Sequence, residues 1–259
     1  ASIKSTYDQP QAACRTRDPG YPCRLMSFVA EFDALPFPAL LQEAREASPA
    51  RVDRILARGP ESLSDFAALL SPAAGQHLET LCRRSQQLTR QRFGRVIRLF
   101  APLYLSNECI NNCAYCGFSR DNPILRVTLG VDEVVREAQA LAQQGFRNIL
   151  LVAGEHPKFV SNGYLEQCTA ALHGFIPSLS LEVGPMETPE YGPLVKSGAE
   201  GLVVYQETYD RTAYAELHTA GPKRDFDWRL ACPERAYAAG FRRLGIGALH
   251  GLADWRYEA

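Results

Sequence analysis

Two patterns of hydrophobic and polar positions divide this chain. Between 37 and about 93, apolar residues recur at helical spacing, as Leu40, Leu41 and Ala44 do, which predicts an all-α segment. From about 95 onward, short apolar runs alternate with amphipathic stretches. We predict strands at 96–105, 147–153, 179–184, 200–206 and 243–249, and helices at 132–144, 162–174, 188–197 and 233–239.

Strands that alternate with helices in units of roughly 30 residues are typical of a parallel sheet built from βαβ crossovers. The predicted fold class is therefore α/β, and the commonest closed form of this pattern is the eight-stranded (βα) barrel. About five βα units are present, so we expect an incomplete TIM-type barrel preceded by an α-helical segment. The chain ends inside the expected fifth helix and looks truncated at its C-terminus.

The first 25 residues are polar, contain Pro10, Pro19 and Pro22, and show no hydrophobic periodicity. Such a composition favours an unstructured extension ahead of a native start at Met26. The predicted organisation is thus an extension at 1–25, a helical segment at 26–94, and a truncated barrel core at 95–259.

Charge and hydropathy limit the classes of function. With 28 Lys and Arg against 29 Asp and Glu, no overall basic field exists to attract nucleic acid. No apolar run approaches the ~20 residues of a membrane helix, and no signal-peptide core precedes Met26. We expect a cytoplasmic protein with a local active site and no nucleic-acid or membrane partner.

The most specific chemical signal is a cysteine motif directly after the first predicted strand. Cys109, Cys113 and Cys116 place three thiols within eight residues, whereas Cys82, Cys168 and Cys232 are isolated in the sequence. On a loop, these spacings let the three sulfurs share one face of an iron–sulfur cubane and leave one iron without a protein ligand. A three-cysteine zinc loop remains the alternative, although structural zinc sites usually have four ligands.

This motif and its position resemble those of the radical S-adenosylmethionine (SAM) superfamily. The resemblance implies that Cys109, Cys113 and Cys116 are the metal-binding and catalytic residues. They would hold a [4Fe-4S] cluster whose unique iron binds the amino and carboxylate groups of S-adenosylmethionine. It also implies that Tyr115, the aromatic residue before the last cysteine, lies against the adenine.

Further cofactor contacts follow from the same resemblance. Gly154 and Glu155, at the end of the second strand, would hold the methionine amino group, although Ala153 replaces the usual first glycine. Gly245 and Gly247 on the fifth strand would contact adenine and ribose. Barrel enzymes collect active-site groups at the C-terminal strand ends, which agrees with the position of Gly154 and Glu155.

Three polar positions are candidates for the remaining contacts. Tyr205 and Gln206, on the fourth strand, are predicted substrate contacts; by alternation Tyr205 shares a face with Glu207 and Gln206 takes the other. Arg229 is predicted to pair with the carboxylate of methionine or of the substrate. The alternatives are a core role for Tyr205, a helix start at Glu207, and a solvated charge run from Lys223 to Arg229.

Six segments make the resemblance closer than superfamily level and point to the 2-iminoacetate synthases, the tyrosine lyases of thiamine biosynthesis. They are 100–107 (FAPLYLSN), 116–119 (CGFS), 154–156 (GEH), 204–209 (VYQETY), 221–226 (GPKRDF) and 244–249 (LGIGAL). The implied reaction cleaves L-tyrosine to 2-iminoacetate and p-cresol while S-adenosylmethionine becomes methionine and 5′-deoxyadenosine. The implied partners are L-tyrosine, a flavodoxin- or ferredoxin-type electron donor, and thiazole synthase.

Other functions stay open at this point. A tyrosine lyase of hydrogenase maturation begins with the same cleavage, and tryptophan lyases or deazaflavin-forming radical enzymes share the architecture. A non-catalytic truncated paralogue, folded around its cluster and acting only as a binding partner, is the alternative from a different class of function.

Overall fold

The computed structural model describes residues 27–259; the extension expected at 1–25 and the start expected at Met26 lie outside the described residues. The first part of the described chain is helical, as the periodicity predicts. Its helices are α1 (Phe28–Asp33), α2 (Phe37–Glu46), α3 (Pro49–Arg58), α4 (Leu63–Leu69) and α5 (Leu78–Phe93), with a 3-10 helix at Pro72–His77 before α5.

Serine caps explain where three of these helices begin. The hydroxyls of Ser27, Ser48 and Ser62 accept backbone N–H groups from the first turns of α1, α3 and α4. Each cap satisfies a donor that has no partner within the helix.

The rest of the described chain alternates strands and helices. Its strands are β1 (Ala101–Ser106), β2 (Asn112–Cys113), β3 (Asn148–Ala153), β4 (Ser178–Glu182), β5 (Ala199–Glu207), β6 (His218–Ala220) and β7 (Arg243–Ala248). Its helices are α6 (Val131–Gln143), α7 (Asn162–His173), α8 (Thr188–Lys196), α9 (Arg211–Leu217), α10 (Phe226–Leu230), α11 (Cys232–Ala239) and α12 (Trp255–Glu258), with a 3-10 helix at Pro222–Arg224.

All five predicted strands are confirmed as one parallel sheet in the order β1-β3-β4-β5-β7. The first strand is shorter than predicted, because residues 96–100 form no strand and Val96 and Ile97 are more than 80% exposed. Pairing with β3 starts at Ala101 opposite Ile149, and β3 itself begins at Asn148, so the preceding residues have no strand to pair with.

The hydrophobic core lies on one face of this sheet. Alternate residues of the strands, such as Leu103, Ile149 and Leu181, are buried against Val134 of α6 and Leu165 of α7. Each fully buried aliphatic side chain stabilises the fold by about 1.5–3 kcal/mol. The covering helices thus occupy one side, as in the wall of a (βα) barrel, and the other face is left for the site.

A second, two-stranded sheet pairs β2 antiparallel with β6. It links the cysteine motif to residues more than one hundred positions further along the chain. The outer edge of β1 is also partly covered, because Leu129 N–H donates to the Leu105 carbonyl and Asn107 N–H donates to the Val127 carbonyl.

Candidate active site

A cavity of about 340 Å³ opens where the parallel strands end. This volume is at the lower end of the ~300–1,000 Å³ that small-molecule pockets occupy. Among the residues that line it are the three motif cysteines, together with Gly154, Glu155, Glu182, Glu207, Lys223 and Arg229. The fold therefore brings together the thiols, Gly154, Glu155 and Arg229 from the predicted set.

The three thiols have different surroundings. Cys113 is buried while Cys109 and Cys116 are partly exposed, and the Cys116 sulfur accepts the Phe118 N–H at 3.4 Å. Burial raises the pKa of the Cys113 thiol to about 11. A metal ligand has to be deprotonated, so binding of a metal would have to overcome this effect of burial.

The spacing of the thiols bears on what they can hold. In residues 27–259 no group of three or more His, Cys, Asp or Glu side chains is gathered closely enough to hold one metal ion. Cysteines of an iron–sulfur cluster bind separate iron atoms, so they line a wall instead of meeting at one point. Cys109, Cys113 and Cys116 all line the cavity without gathering around one point, which fits that requirement.

Arg126 holds the second half of the cysteine loop in place. Its guanidinium donates to the carbonyls of Asn107, Phe118 and Ser119 at 2.6–2.9 Å, and to those of Arg120 and Asn122 at 3.3–3.4 Å. A planar group with five donors can satisfy this many carbonyls at once. The loop after Cys116 is therefore fastened to the end of β1.

Gly154 lets the end of β3 approach the cysteine loop. A Cβ atom at this position would lie 2.3 Å from the Glu108 carbonyl oxygen, so a larger residue would force backbone to move. The Ile110 N–H also donates to the Glu155 carbonyl at 2.8 Å. The Glu155 side chain then reaches the loop, where its Oε2 accepts the Asn111 amide at 2.7 Å.

Glu207 enters the cavity through an irregularity in β5. Opposite β7, Tyr205 pairs with Gly247 and Glu207 with Ala248, so Gln206 is an extra residue. Glu207 has a φ of 75°, a conformation that side chains other than glycine rarely adopt and that is often found at functional sites. The pairing of β5 with β7 is irregular at this point, while burial still alternates, with Gln206 buried between the more exposed Tyr205 and Glu207; the predicted common face of Tyr205 and Glu207 stays a prediction.

Lys223 lies beside Glu207 inside the cavity, with Nζ 2.6 Å from the Glu207 carboxylate and both side chains nearly buried. Burial lowers the pKa of Lys223, and Arg229 lowers it further, while Glu207 opposes the shift. Burial also raises the pKa of Glu182, and the negative charge of Glu207 adds to that effect. The alternative of a solvated charge run is therefore wrong at Arg229, which is buried, and at Lys223, whose side chain is only 13% exposed.

Arg229 is oriented by the backbone of β5, since its Nε donates to the Tyr205 carbonyl at 2.6 Å. Together with Lys223, it places two cations next to the carboxylates of Glu155, Glu182 and Glu207. A cavity with both signs of charge can bind a ligand that carries a carboxylate and an ammonium group.

Tyr115 is not among the residues that line the cavity, and its ring packs against His218 of β6, with the ring centroids 5.5 Å apart. The His218 Nδ1 is 2.8 Å from the Tyr214 carbonyl and so carries the proton, which leaves Nε2 to accept the Tyr115 hydroxyl at 2.7 Å. Burial lowers the pKa of His218 to about 4 and raises that of Tyr115. The role predicted for Tyr115 against adenine stays a prediction.

Besides Tyr115, four predicted contacts do not line this cavity: Tyr205, Gln206, Gly245 and Gly247. The Tyr205 ring covers Gly247, where an added Cβ would lie 2.7 Å from it, and Gly245 faces Val203 in the same way. Gln206 is buried and donates to the Phe226 carbonyl at 3.2 Å. Close packing against Tyr205 and Val203 thus explains why both positions are occupied by glycine.

The sequence analysis assigned no site role to four residues that line the cavity: Asn111, Glu182, Glu207 and Lys223. Glu182 lies within the predicted strand 179–184 but is the last residue of β4, so the strand-end argument that selects Glu155 applies to it only once the strand is seen to end there. Asn111 carried no signal beyond its place between two motif cysteines.

The helices of residues 27–259 include none with the length and apolar character that a membrane-spanning helix needs.

Comparisons with known proteins agree on one family. The model of the Radical SAM superfamily matches residues 103–259. The 2-iminoacetate synthase of Escherichia coli is 46% identical over 211 residues, which are 81% of this chain and 56% of that protein. The chain thus spans little more than half the length of this curated relative.

Solved structures give the same result at the level of the fold. The crystal structure of HydG, a maturase of the [FeFe]-hydrogenase, superposes with a TM-score of 0.81 at 30% identity, covering 86% of this chain and 51% of that one. Methylornithine synthase (PylB) superposes with a TM-score of 0.62 at 23% identity, covering 83% and 60%. The second likeness shows the fold alone.

Proposed function

Because this chain belongs to the radical SAM superfamily, we propose that it forms the cluster- and cofactor-binding part of a tyrosine lyase. The observation that carries the proposal is the meeting of three motif thiols with Glu155 and Arg229 in one cavity at the strand ends. When bound, a reduced [4Fe-4S] cluster supplies the electron that cleaves S-adenosylmethionine.

The residues of this chain have separable roles in the proposal. Cys109, Cys113 and Cys116 bind three irons of the cluster. The Glu155 carboxylate accepts the ammonium group of the methionine moiety, and Arg229 pairs with a carboxylate. Hydrogen bonds to charged groups of this kind contribute about 1.5–3 kcal/mol each.

The proposed reaction converts L-tyrosine to 2-iminoacetate and p-cresol, with methionine and 5′-deoxyadenosine as the other products, for the thiazole moiety of thiamine. The 46% identity to a 2-iminoacetate synthase supports it. The second candidate, the tyrosine lyase of hydrogenase maturation, is supported by the close superposition on HydG, but at 30% identity.

The proposal extends to partners and setting. A low-potential donor of the flavodoxin or ferredoxin type would reduce the cluster, and thiazole synthase would receive the unstable imine. Cluster thiols that must stay reduced favour the cytoplasm. The predicted division into a helical segment at 26–94 and a cluster-binding core at 95–259 is also part of the proposal. The proposal includes adenosine contacts by Tyr115, Gly245 and Gly247. It also includes substrate contacts by Tyr205 and Gln206.

The proposal is tested by anaerobic reconstitution of the chain with iron and sulfide, followed by dithionite, S-adenosylmethionine and L-tyrosine. We expect an EPR signal of a reduced [4Fe-4S] cluster, 5′-deoxyadenosine and p-cresol. One zinc per chain and no cluster would overturn the family chemistry. Deoxyadenosine without p-cresol would overturn only the choice of tyrosine.

A further inference from the structure

Asn111 lies between two motif cysteines and is 2% exposed, although it carries a polar side chain. Its Nδ2 donates to Glu155 Oε2 at 2.7 Å and lies 3.7 Å from the Cys109 sulfur. Its Oδ1 accepts the Lys223 N–H at 2.8 Å. One buried amide therefore contacts the cysteine loop, the end of β3 and the turn after β6.

These partners fix which way the amide points. A backbone N–H can only donate and a carboxylate can only accept, so Oδ1 has to face Lys223 and Nδ2 has to face Glu155. Gly221 closes the site from the other side, since a Cβ there would lie 2.3 Å from the Asn111 Oδ1. The positive φ of 83° at Gly221 also favours glycine.

The Glu155 side chain is confined between two surfaces. On one side is the Asn111 amide, and on the other is Gly184, where a Cβ would lie 2.5 Å from the Glu155 Cγ. A carboxylate held in this way loses little conformational entropy when it accepts a further hydrogen bond.

We propose that Asn111 is a positioning residue that holds the Glu155 carboxylate at the cysteine loop, and so couples S-adenosylmethionine binding to the cluster. This inference rests on the proposed function, because it takes Glu155 as the acceptor for the methionine ammonium group. It adds a residue that touches neither cofactor in the proposal and acts through Glu155.

The first test compares Asn111→Ala with Asn112→Ala. Asn112 is the next residue of the same loop, and its amide donates to Asp121 instead of Glu155. After reconstitution, we expect both variants to keep iron and sulfide content. We expect about tenfold weaker binding of S-adenosylmethionine by calorimetry for Asn111→Ala, and no change for Asn112→Ala.

A double-mutant cycle shows whether Asn111 acts through Glu155. In a Glu155→Gln background, Asn111→Ala should weaken binding further by less than twofold, because residues that act on one contact are not additive. A full tenfold loss in that background would overturn the proposal, as would equal losses in the Asn111→Ala and Asn112→Ala variants.

A second experiment needs no S-adenosylmethionine and serves even if Asn111→Ala loads no cluster. Asn111→Asp keeps the acceptor for Lys223 N–H but faces Glu155 with a second carboxylate, so we expect iron to be released to a chelator several-fold faster. The Asn111→Asp/Glu155→Gln double variant restores one donor and one acceptor, and release should return toward the wild-type rate. Failure of the double variant to restore that rate would overturn the proposal.

The outcomes separate this inference from the proposed function. If the wild-type protein loads its cluster and binds no S-adenosylmethionine, both fail. If the wild type binds it and Asn111→Ala binds it equally well, only the role of Asn111 fails.

Discussion

Single residues decide whether a cluster can form at all in the proposed site. Replacing Cys109, Cys113 or Cys116 with alanine removes one of three protein ligands, so each variant should lose the cluster. The measurement is iron and sulfide content with EPR after anaerobic reconstitution. Cys82→Ala is the control, because Cys82 is exposed on α5 and is expected to leave the content unchanged.

The Glu155 carboxylate should matter for the cofactor and not for the cluster. Glu155→Gln removes the negative charge and keeps the size, so a charge-assisted bond of about 1.5–3 kcal/mol to an ammonium group is lost. Calorimetry should show binding of S-adenosylmethionine weakened by one to two orders of magnitude, with an unchanged iron content. Wild-type affinity in this variant would remove Glu155 from the site.

The structure requires glycine at position 154 because the backbone of the cysteine loop is so close, and a stability measurement can check this requirement. In Gly154→Ala the new methyl group meets the Glu108 carbonyl, and overpacking of this kind costs about 1–3 kcal/mol. Chemical denaturation should show that loss. Gly163→Ala is the control: its position on α7 is open, and it should gain up to about 1 kcal/mol from helix propensity. Equal effects would contradict the steric argument.

The sequence predicts residues whose chemistry shows in their type and spacing, such as the three cysteines and Glu155. It does not predict Lys223, because a lysine in a charge run looks the same whether its side chain meets solvent or Glu207. Long-range pairing decides between the two, and Lys223 reaches Asn111 across more than one hundred residues.

At the scale of elements, Arg126 determines the shape of the cysteine loop. Arg126→Lys keeps the charge but offers a compact ammonium in place of five planar donors, so most of the loop carbonyls lose their partner. We expect the cluster to be lost to a chelator at least several-fold faster. Arg120→Lys is the control, since Arg120 pairs with Asp121 at the surface; equal rates in the two variants would refute this role.

The strands and helices were predictable because hydrophobic runs and amphipathic stretches alternate clearly from 95 onward. What the pattern could not show is register. The bulge at Gln206 depends on how β5 pairs with β7, and the absence of a strand at 96–100 depends on where β3 begins. Both are properties of a pair of strands, whereas a periodicity describes only one.

At the scale of the whole molecule, an aromatic cluster fastens the N-terminal helices to the sheet region. Phe32 of α1 is buried with ring centroids 5.1 Å from Phe37, 5.7 Å from Phe226 and 6.0 Å from Tyr209. Phe32→Ala should lower the free energy of unfolding by about 3 kcal/mol, measured by denaturation. Phe93→Ala, at an exposed ring on α5, should change it little, and similar losses in both would contradict the assignment.

The pairing of β2 with β6 also has a consequence for the order of folding. Cys113 lies opposite His218, so the strand that contains the second motif cysteine is completed by a segment 105 residues later in the chain. Contacts of such high sequence separation form late, because the intervening chain has to be ordered before they become favourable. Until β6 pairs, the strand that carries Cys113 has no partner, so the cysteine loop is completed only after the residues between them are ordered.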